Sequence, residues 1–326
     1  MKLAVSAKNL SRSYQTYKKS EGLLASVKGL WSREYTEKIA LNNVSLEIPE
    51  GQIIGLVGAN GAGKTTLLKL LSGLISPTSG SAEVLGYTPW QRKNDYLKKI
   101  SVLLGQKNQL WWDISPLDSY NLLIKIYDLE PKAAKIKVYA LAEMLNCKDQ
   151  LETQLRRLSL GERMKMEIIG ALLHDPKILF LDEPTIGLDI LAQSSIREFL
   201  IEYVKTKKPT VILTSHYMDD ISKLADRLLL ISKGSIFYDG TVDNFVKKSS
   251  LKKQLYVVFE EPLNQTIILN EDLSLQQNQR EHHLAVNQND LPWVLQKVSQ
   301  AGSIQDLKFE EINFEDTIRE FLIKQT

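Results

Sequence analysis

A single cysteine, Cys147, stands among the 326 residues, so no disulfide can form within the chain and a reducing compartment is expected. Long apolar runs are missing as well. Stretches such as Ile178–Leu181 and Leu228–Ile231 fall far short of the ~18–20 residues that a membrane-spanning helix needs. Leu3–Ala7, followed at once by Lys8 and with Arg12 close behind, is too short for the apolar core of a secretory leader, so none is expected. His174, His282 and His283 have no cysteine or carboxylate set at ligand spacing, which argues against a zinc site. Neither an internal repeat nor a heptad run is present, which excludes a long coiled coil.

What is present is ordinary globular composition, 43% hydrophobic and 25% charged, with enough chain for two domains. The formal net charge of +2 conceals an asymmetry. Residues 251–326 hold seven Lys/Arg against twelve Asp/Glu, a net −5, and the preceding residues therefore carry +7. A basic major domain points to an anionic ligand or surface, and an acidic appendage to a separate task.

Strand and helix patterns alternate as far as Gly240. Val44–Ile48, Ile53–Val57, Ile178–Leu181 and Val211–Thr214 read as strands, and Lys64–Ser72 as a helix. Ser119–Asn146 carries helical periodicity broken near Pro131. This alternation predicts an α/β domain built on a parallel sheet. Beyond Gly240, strands over Gln254–Glu260, His283–Gln288 and Ile304–Glu310 and helices over Pro292–Ala301 and Phe314–Lys324 predict a small α+β domain. Asn264–Glu281 is expected to be partly loop, and a linker is expected near Asp243–Lys253. The domain boundaries are set at 1–245 and 246–326.

The strongest chemical signal is Gly58-Ala59-Asn60-Gly61-Ala62-Gly63-Lys64-Thr65, a G-x-x-x-x-G-K-[ST] match between a strand and a helix. Such a loop turns backbone N–H groups toward phosphates, and the helix N-terminus adds the positive end of its dipole. Lys64 supplies charge to the β- and γ-phosphates, and the Thr65 hydroxyl can bind Mg²⁺. Downstream, the strand Ile178–Leu181 ends in Asp182 and Glu183. Asp182 is the expected metal partner and Glu183 the expected base for an attacking water.

Between these motifs lies Leu158-Ser159-Leu160-Gly161-Glu162, which resembles the L-S-G-G-Q signature of ABC ATPases. Gln106 stands where that family has its Q-loop glutamine, Ile186-Gly187-Leu188-Asp189 resembles the D-loop, and His216 resembles the switch histidine. Tyr14 matches the aromatic residue that stacks on adenine. The resemblance covers about Leu3 to Gly240. It implies a P-loop NTPase fold, a mixed sheet core with a helical signature subdomain, and ATP and Mg²⁺ as cofactors. It also implies a head-to-tail dimer in which each ATP lies between one subunit's phosphate loop and the other's signature.

On that basis Lys64, Glu183 and His216 are expected to be catalytic. Tyr14, Gly58 through Thr65, Thr66, Gln106, Ser159, Gly161, Glu162, Asp182 and Asp189 are expected to contact nucleotide. Thr65, Gln106 and Asp182 are expected at the metal. Leu160 and Glu162 depart from the family's glycine and glutamine, but neither change removes a catalytic group. Cys147 reads as a packed small residue, and Trp111-Trp112 as a partner interface rather than core. Residues 18–38 read as a basic amphipathic helical insertion, with docking at a permease–membrane boundary weighed equally against packing on its own domain.

The resemblance therefore implies an ABC transporter ATPase working with permease subunits on separate chains and a second ATPase subunit, at the cytoplasmic face of the membrane and without nucleic acid. Export of drugs, antibiotics or polysaccharides is the preferred reading. The others are an importer ATPase with a regulatory C-terminal domain and a soluble non-transport ABC ATPase.

Overall fold

The computed structural model describes residues 2–17, 35–105, 108–215, 217–249, 252–269, 273–287 and 289–311. The chain divides into two compact units, Met1–Gly240 and Thr241–Thr326.

The first unit opens with β1 (Leu3–Tyr17), β2 (Tyr35–Pro49), β3 (Ile53–Val57), α1 (Lys64–Leu71) and β4 (Ser79–Val84). Next come α2 (Asn94–Leu97), β5 (Ile100–Leu104), α3 (Pro116–Ile126), α4 (Pro131–Met144) and α5 (Leu160–Leu172). It closes with β6 (Ile178–Asp182), α6 (Ile190–Lys207), β7 (Thr210–Thr214), α7 (Met218–Leu224), β8 (Arg227–Ser232) and β9 (Ser235–Thr241). Two sheets result. One is antiparallel in the order β2-β1-β4, and the other runs β5-β6-β7-β3-β8-β9.

In the larger sheet β5, β6, β7, β3 and β8 pair in parallel. Every residue of β3 and β7 is buried, as unbroken apolar runs in a doubly covered sheet require. Lys233 and Gly234 join β8 to β9 with both φ positive, the backbone of a two-residue hairpin, so the sheet is mixed. Leu67, Leu68, Leu70 and Leu71 of α1 join Ile54, Leu56, Phe180 and Ile212 of the sheet in one core cluster. Proline starts two of the helices. Pro116 and Pro131 follow caps at Ser115 and Glu130, whose side chains accept hydrogen bonds from first-turn N–H groups. That second start, at Pro131, is the break in the helical periodicity of Ser119–Asn146. Tyr120 of α3, fully buried, donates its hydroxyl to the Met166 carbonyl of α5 at 2.8 Å and ties the helical part together.

Three expectations need correction. Residues 35–38 are strand rather than helical insertion, because Tyr35, Thr36, Glu37 and Lys38 pair with Tyr17, Thr16, Gln15 and Tyr14 of β1. The rest of that insertion, 18–34, lies outside the described residues, as does the helix expected at Phe314–Lys324. The linker expected at Asp243–Lys253 is mostly helix, α8 (Val242–Ser249). Thr241 Oγ1 accepts from the Asn244 N–H at its start, and Val242 and Phe245 are buried. The sequence boundary at 245 thus falls inside a helix.

The second unit continues with β10 (Lys252–Phe259), β11 (Ile267–Ile268), β12 (Ser274–Leu275), β13 (Glu281–Asn287), α9 (Leu291–Ala301) and β14 (Ile304–Glu311). An antiparallel sheet runs β13-β10-β14, and β11 and β12 form a short ribbon inside the stretch expected to be loop. Alternate residues Leu255, Val257 and Phe259 join Leu284, Val286, Val294 and Val298 in its core. His282 is buried in this layer, its ring edge-on to Phe259. Phe259→Ala should cost this unit about 3–5 kcal/mol, read as lost hydrogen-exchange protection across β10, β13 and β14. Protection there equal to the parent chain's would mean that Phe259 does not hold the layer.

Candidate functional site

The phosphate loop, 58–63, connects the C-terminal end of β3 to α1. Gly63 caps α1 with φ +114°, and a Cβ there would lie 2.6 Å from the Ala40 carbonyl oxygen, so the turn admits glycine alone. Lys64, 5% exposed, folds back and donates to the carbonyls of Gly58 at 2.6 Å and Ala59 at 3.2 Å. Burial lowers its pKa, and the carboxylates of Glu183 and Asp182 oppose that shift.

Thr65 and Asp182 meet across 117 residues of sequence. Thr65 Oγ1 donates to the Asp182 carboxylate at 2.9 Å, and Thr214 Oγ1 donates to the same carboxylate at 2.7 Å. Thr214 was not singled out from the sequence. Its only signal is that a hydroxyl closes the apolar run Val211–Leu213 two residues before His216. The Thr214 carbonyl and hydroxyl also accept from the Glu183 N–H, at 3.1 and 3.0 Å. They hold Glu183 at φ +54°, a left-handed conformation that costs a side-chain-bearing residue of order 1 kcal/mol or more. Strain at the candidate base is thus fixed by the two contacts that Thr214 makes with its N–H beyond the end of β6.

Ser159 caps α5. Its hydroxyl accepts from the Glu162 N–H at 3.3 Å, while the Glu162 carboxylate accepts from the Ser159 N–H at 2.9 Å, a reciprocal capping box. The departure from glutamine thus leaves the capping box intact, since either side chain can accept the Ser159 N–H. The Ser159 N–H holds the Glu162 carboxyl below the usual carboxylate range. Leu160 is 43% exposed. Gly161 is buried, and a Cβ there would lie 2.8 Å from the Ala192 methyl of α6. Asp189 caps α6 by accepting from the Ala192 N–H at 2.9 Å, so the D-loop and signature segments abut.

A second network, unforeseen from the sequence, ties Thr185, Arg197, Ser215 and Asp220 together. Asp220, 1% exposed, receives Arg197 Nε at 2.8 Å and Nη2 at 2.7 Å. Its other oxygen accepts from Thr185 at 2.6 Å and Ser215 at 2.8 Å. This fully partnered buried ion pair joins the segments on either side of the acidic strand end.

Tyr14 is half-buried in β1, with the Arg12 guanidinium 4.7 Å from its ring centre. Thr66 lies in α1 beside Thr65. Trp111 and Trp112 are both exposed, and Arg163 of α5 sits 4.9 Å from the centre of a Trp112 ring. Cys147 is buried, and burial pushes its thiol up to about 11. Gln106 and His216 lie outside the described residues.

The site thus defines a phosphate-loop nucleotide-binding protein with an acidic strand end and a capped signature helix. The family model for ABC transporters matches residues 41–186. The chain is 30% identical over 218 residues to the ABC transporter ATP-binding protein NatA of Bacillus subtilis, covering 67% of this chain and 88% of that protein. It is 26% identical over 301 residues to the bacitracin transport ATP-binding protein BcrA of Bacillus licheniformis, covering 90% and 94%. It is 33% identical over 208 residues to the Nod factor export ATP-binding protein I of Cupriavidus pinatubonensis, covering 64% and 63%. Against ABC transporter A family member 5 of Dictyostelium discoideum the chain spans 13% of that protein's length. Among solved structures, a dimeric ATP-binding cassette, MJ0796, in a post-hydrolysis state bound to ADP and Pi superposes with TM-score 0.60. The identity is 22%, over 73% of this chain and 98% of that one.

The chain belongs to the ABC transporter family, as one of its ATP-binding subunits and an ABC-type ATPase. No helix among the described residues is long and apolar enough to cross a membrane.

Gly161→Ala should cost about 1–3 kcal/mol, because two methyl groups cannot share the space between α5 and α6. Adding Ala192→Gly should recover most of the loss. Urea denaturation midpoints of the four chains measure this coupling, and additive effects would remove the contact from the account.

Proposed function

We propose that this chain binds and hydrolyses ATP with Mg²⁺ at the inner face of a membrane and drives export through separate permease subunits. The observation that carries the reading is the Asp182 carboxylate, held by Thr65 and Thr214 beside the phosphate loop with Glu183 next in sequence. One hydroxyl and one carboxylate, both hard oxygen donors, suit Mg²⁺, which keeps its remaining positions for phosphate oxygens and water. Thr65 and Asp182 are its proposed protein partners, with Gln106. The ion supplies charge neutralisation for the terminal phosphates.

Lys64 exchanges the carbonyls of Gly58 and Ala59 for β- and γ-phosphate oxygens, and the N–H groups of residues 58–66 cradle the rest. Tyr14 stacks on adenine. Glu183 accepts a proton from the water that attacks the γ-phosphorus, and His216 holds the γ-phosphate in line. Ser159 and Gly161, at the start of α5, meet the γ-phosphate of a second subunit's ATP, with Asp189 and Glu162 supporting that edge. ATP is then the glue of a dimer and hydrolysis its release.

The unit ending at Gly240 is proposed as the ATP-binding domain, with the unit from Thr241 as an accessory one. Export is supported by the transport and export functions named for BcrA and the Nod factor protein. Trp111 and Trp112, both exposed and the second beside Arg163 of the signature helix, are the proposed permease contact.

Glu183→Gln should cut turnover by at least ~10²-fold while ATP affinity holds. Steady-state hydrolysis beside equilibrium nucleotide binding measures both, and unchanged turnover would take Glu183 out of the mechanism. Mixing Lys64→Ala with Ser159→Arg subunits should regenerate one complete composite site. A mixture as inactive as either variant alone would sink the shared-site geometry.

A further inference from the structure

One buried carboxylate has no place in the mechanism above. Glu167 lies on α5, about 12 Å along the helix from the Ser159 cap at 1.5 Å per residue. It is 5% exposed, yet it is aimed at backbone rather than at a cation. Oε1 accepts from the Gln109 N–H at 3.0 Å and the Leu110 N–H at 3.2 Å, and Oε2 accepts from the Gln109 N–H at 3.1 Å.

The same short segment is braced from its other side. The Gln109 side-chain amide donates to the Val102 carbonyl of β5, and the Leu110 side chain packs so close to Gly170 of α5 that a Cβ there would meet it at 3.2 Å. Residues 109–110 therefore bridge the edge strand of the large sheet and the signature helix. The bridge forms one wall of a cleft of about 800 Å³ whose lining includes Leu97, Ile100, Leu123 and Tyr127. Holding a carboxylate here is expensive. Burial pushes Glu167 up to about 7 against the pull of its two N–H donors. A carboxyl kept in so unfavourable a position, with no catalytic contact, is best explained by what it holds.

We propose that Glu167 is a positioning residue which clamps the segment following Gln106 to the signature helix, so that the two answer nucleotide as one body. The inference rests on the ATPase reading above. In that reading the Gln106 segment serves the ATP on its own subunit, and the Ser159 terminus serves the ATP of the other. Without the clamp, nucleotide would still bind the phosphate loop. The signature terminus would then no longer follow, and the loss would fall on turnover.

The test uses the full chain as Glu167→Met, which fills the space without an acceptor, and Glu167→Gln, whose Oε1 can still accept both N–H groups. Glu167→Met should lower kcat at least ~10-fold, since misplacement far from the chemistry carries penalties of that size or more. KM for ATP should stay within about threefold. Hydrogen exchange at Gln109 and Leu110 should quicken while the rest of α5 stays protected, and Glu167→Gln should recover most of kcat.

Parental kcat in Glu167→Met would overturn the proposal. So would a loss of kcat accompanied by equal losses in ATP affinity and melting temperature, which would mark Glu167 as fold support alone. Glu167→Gln as impaired as Glu167→Met would replace positioning by charge. A parent chain without ATP turnover or binding would instead defeat the underlying ATPase reading, and this inference with it.

Discussion

Everything at the site depends on one carboxylate. Asp182 takes a hydrogen bond from Thr65 at the start of α1 and another from Thr214 at the end of β7. Three chain segments that meet only through tertiary packing are thereby drawn to one point. Charge-assisted hydrogen bonds of this kind are short and stiff, and they fix distances as well as contributing energy. The phosphate loop is anchored on one side and the Glu183 backbone on the other, through the second contact that Thr214 makes. Remove the carboxylate, and the loop and the Glu183 backbone lose their common reference.

Around this point the molecule repeats a single device, in which polar groups from separate elements share one acceptor. Asp220 joins Arg197, Thr185 and Ser215, whereas the Ser159–Glu162 pair closes the start of α5 by a reciprocal exchange within one helix. Each group is nearly or fully satisfied, which is the condition under which buried polarity specifies a structure instead of weakening it. The result is a set of rigid ends, with loops between them that carry the chemistry.

How much of this was legible in the sequence follows from locality. The phosphate loop could be read because its backbone demands glycine at fixed offsets, as the collision beyond Gly63 illustrates. The parallel strands could be read because burial on both faces leaves unbroken apolar runs. Thr214, Asp220 and Glu167 could not, since a single Thr, Asp or Glu gains its meaning from partners brought near by the sheet. Residues 35–38 were misassigned for the same reason. Their strand exists through its pairing with β1, a partner that no local pattern names. The linker was misread for a different reason. Val242–Ser249 spans only eight residues, about two turns, so apolar positions such as Val242 and Phe245 do not recur often enough to distinguish a helix from a connecting segment.

The inward fold of Lys64 has one more consequence. Its ammonium is already solvated by the loop, through the carbonyls of Gly58 and Ala59. In the proposed binding mode, arrival of a triphosphate is thus a substitution at nitrogen, one set of oxygens for another, in a cradle that is already shaped. The ordering of the lysine is spent before the nucleotide comes. Much of the hydrogen-bond energy cancels, so discrimination falls to the difference in charge between a neutral carbonyl and an anionic phosphate. A loop built this way ranks its occupants by how much negative charge they bring.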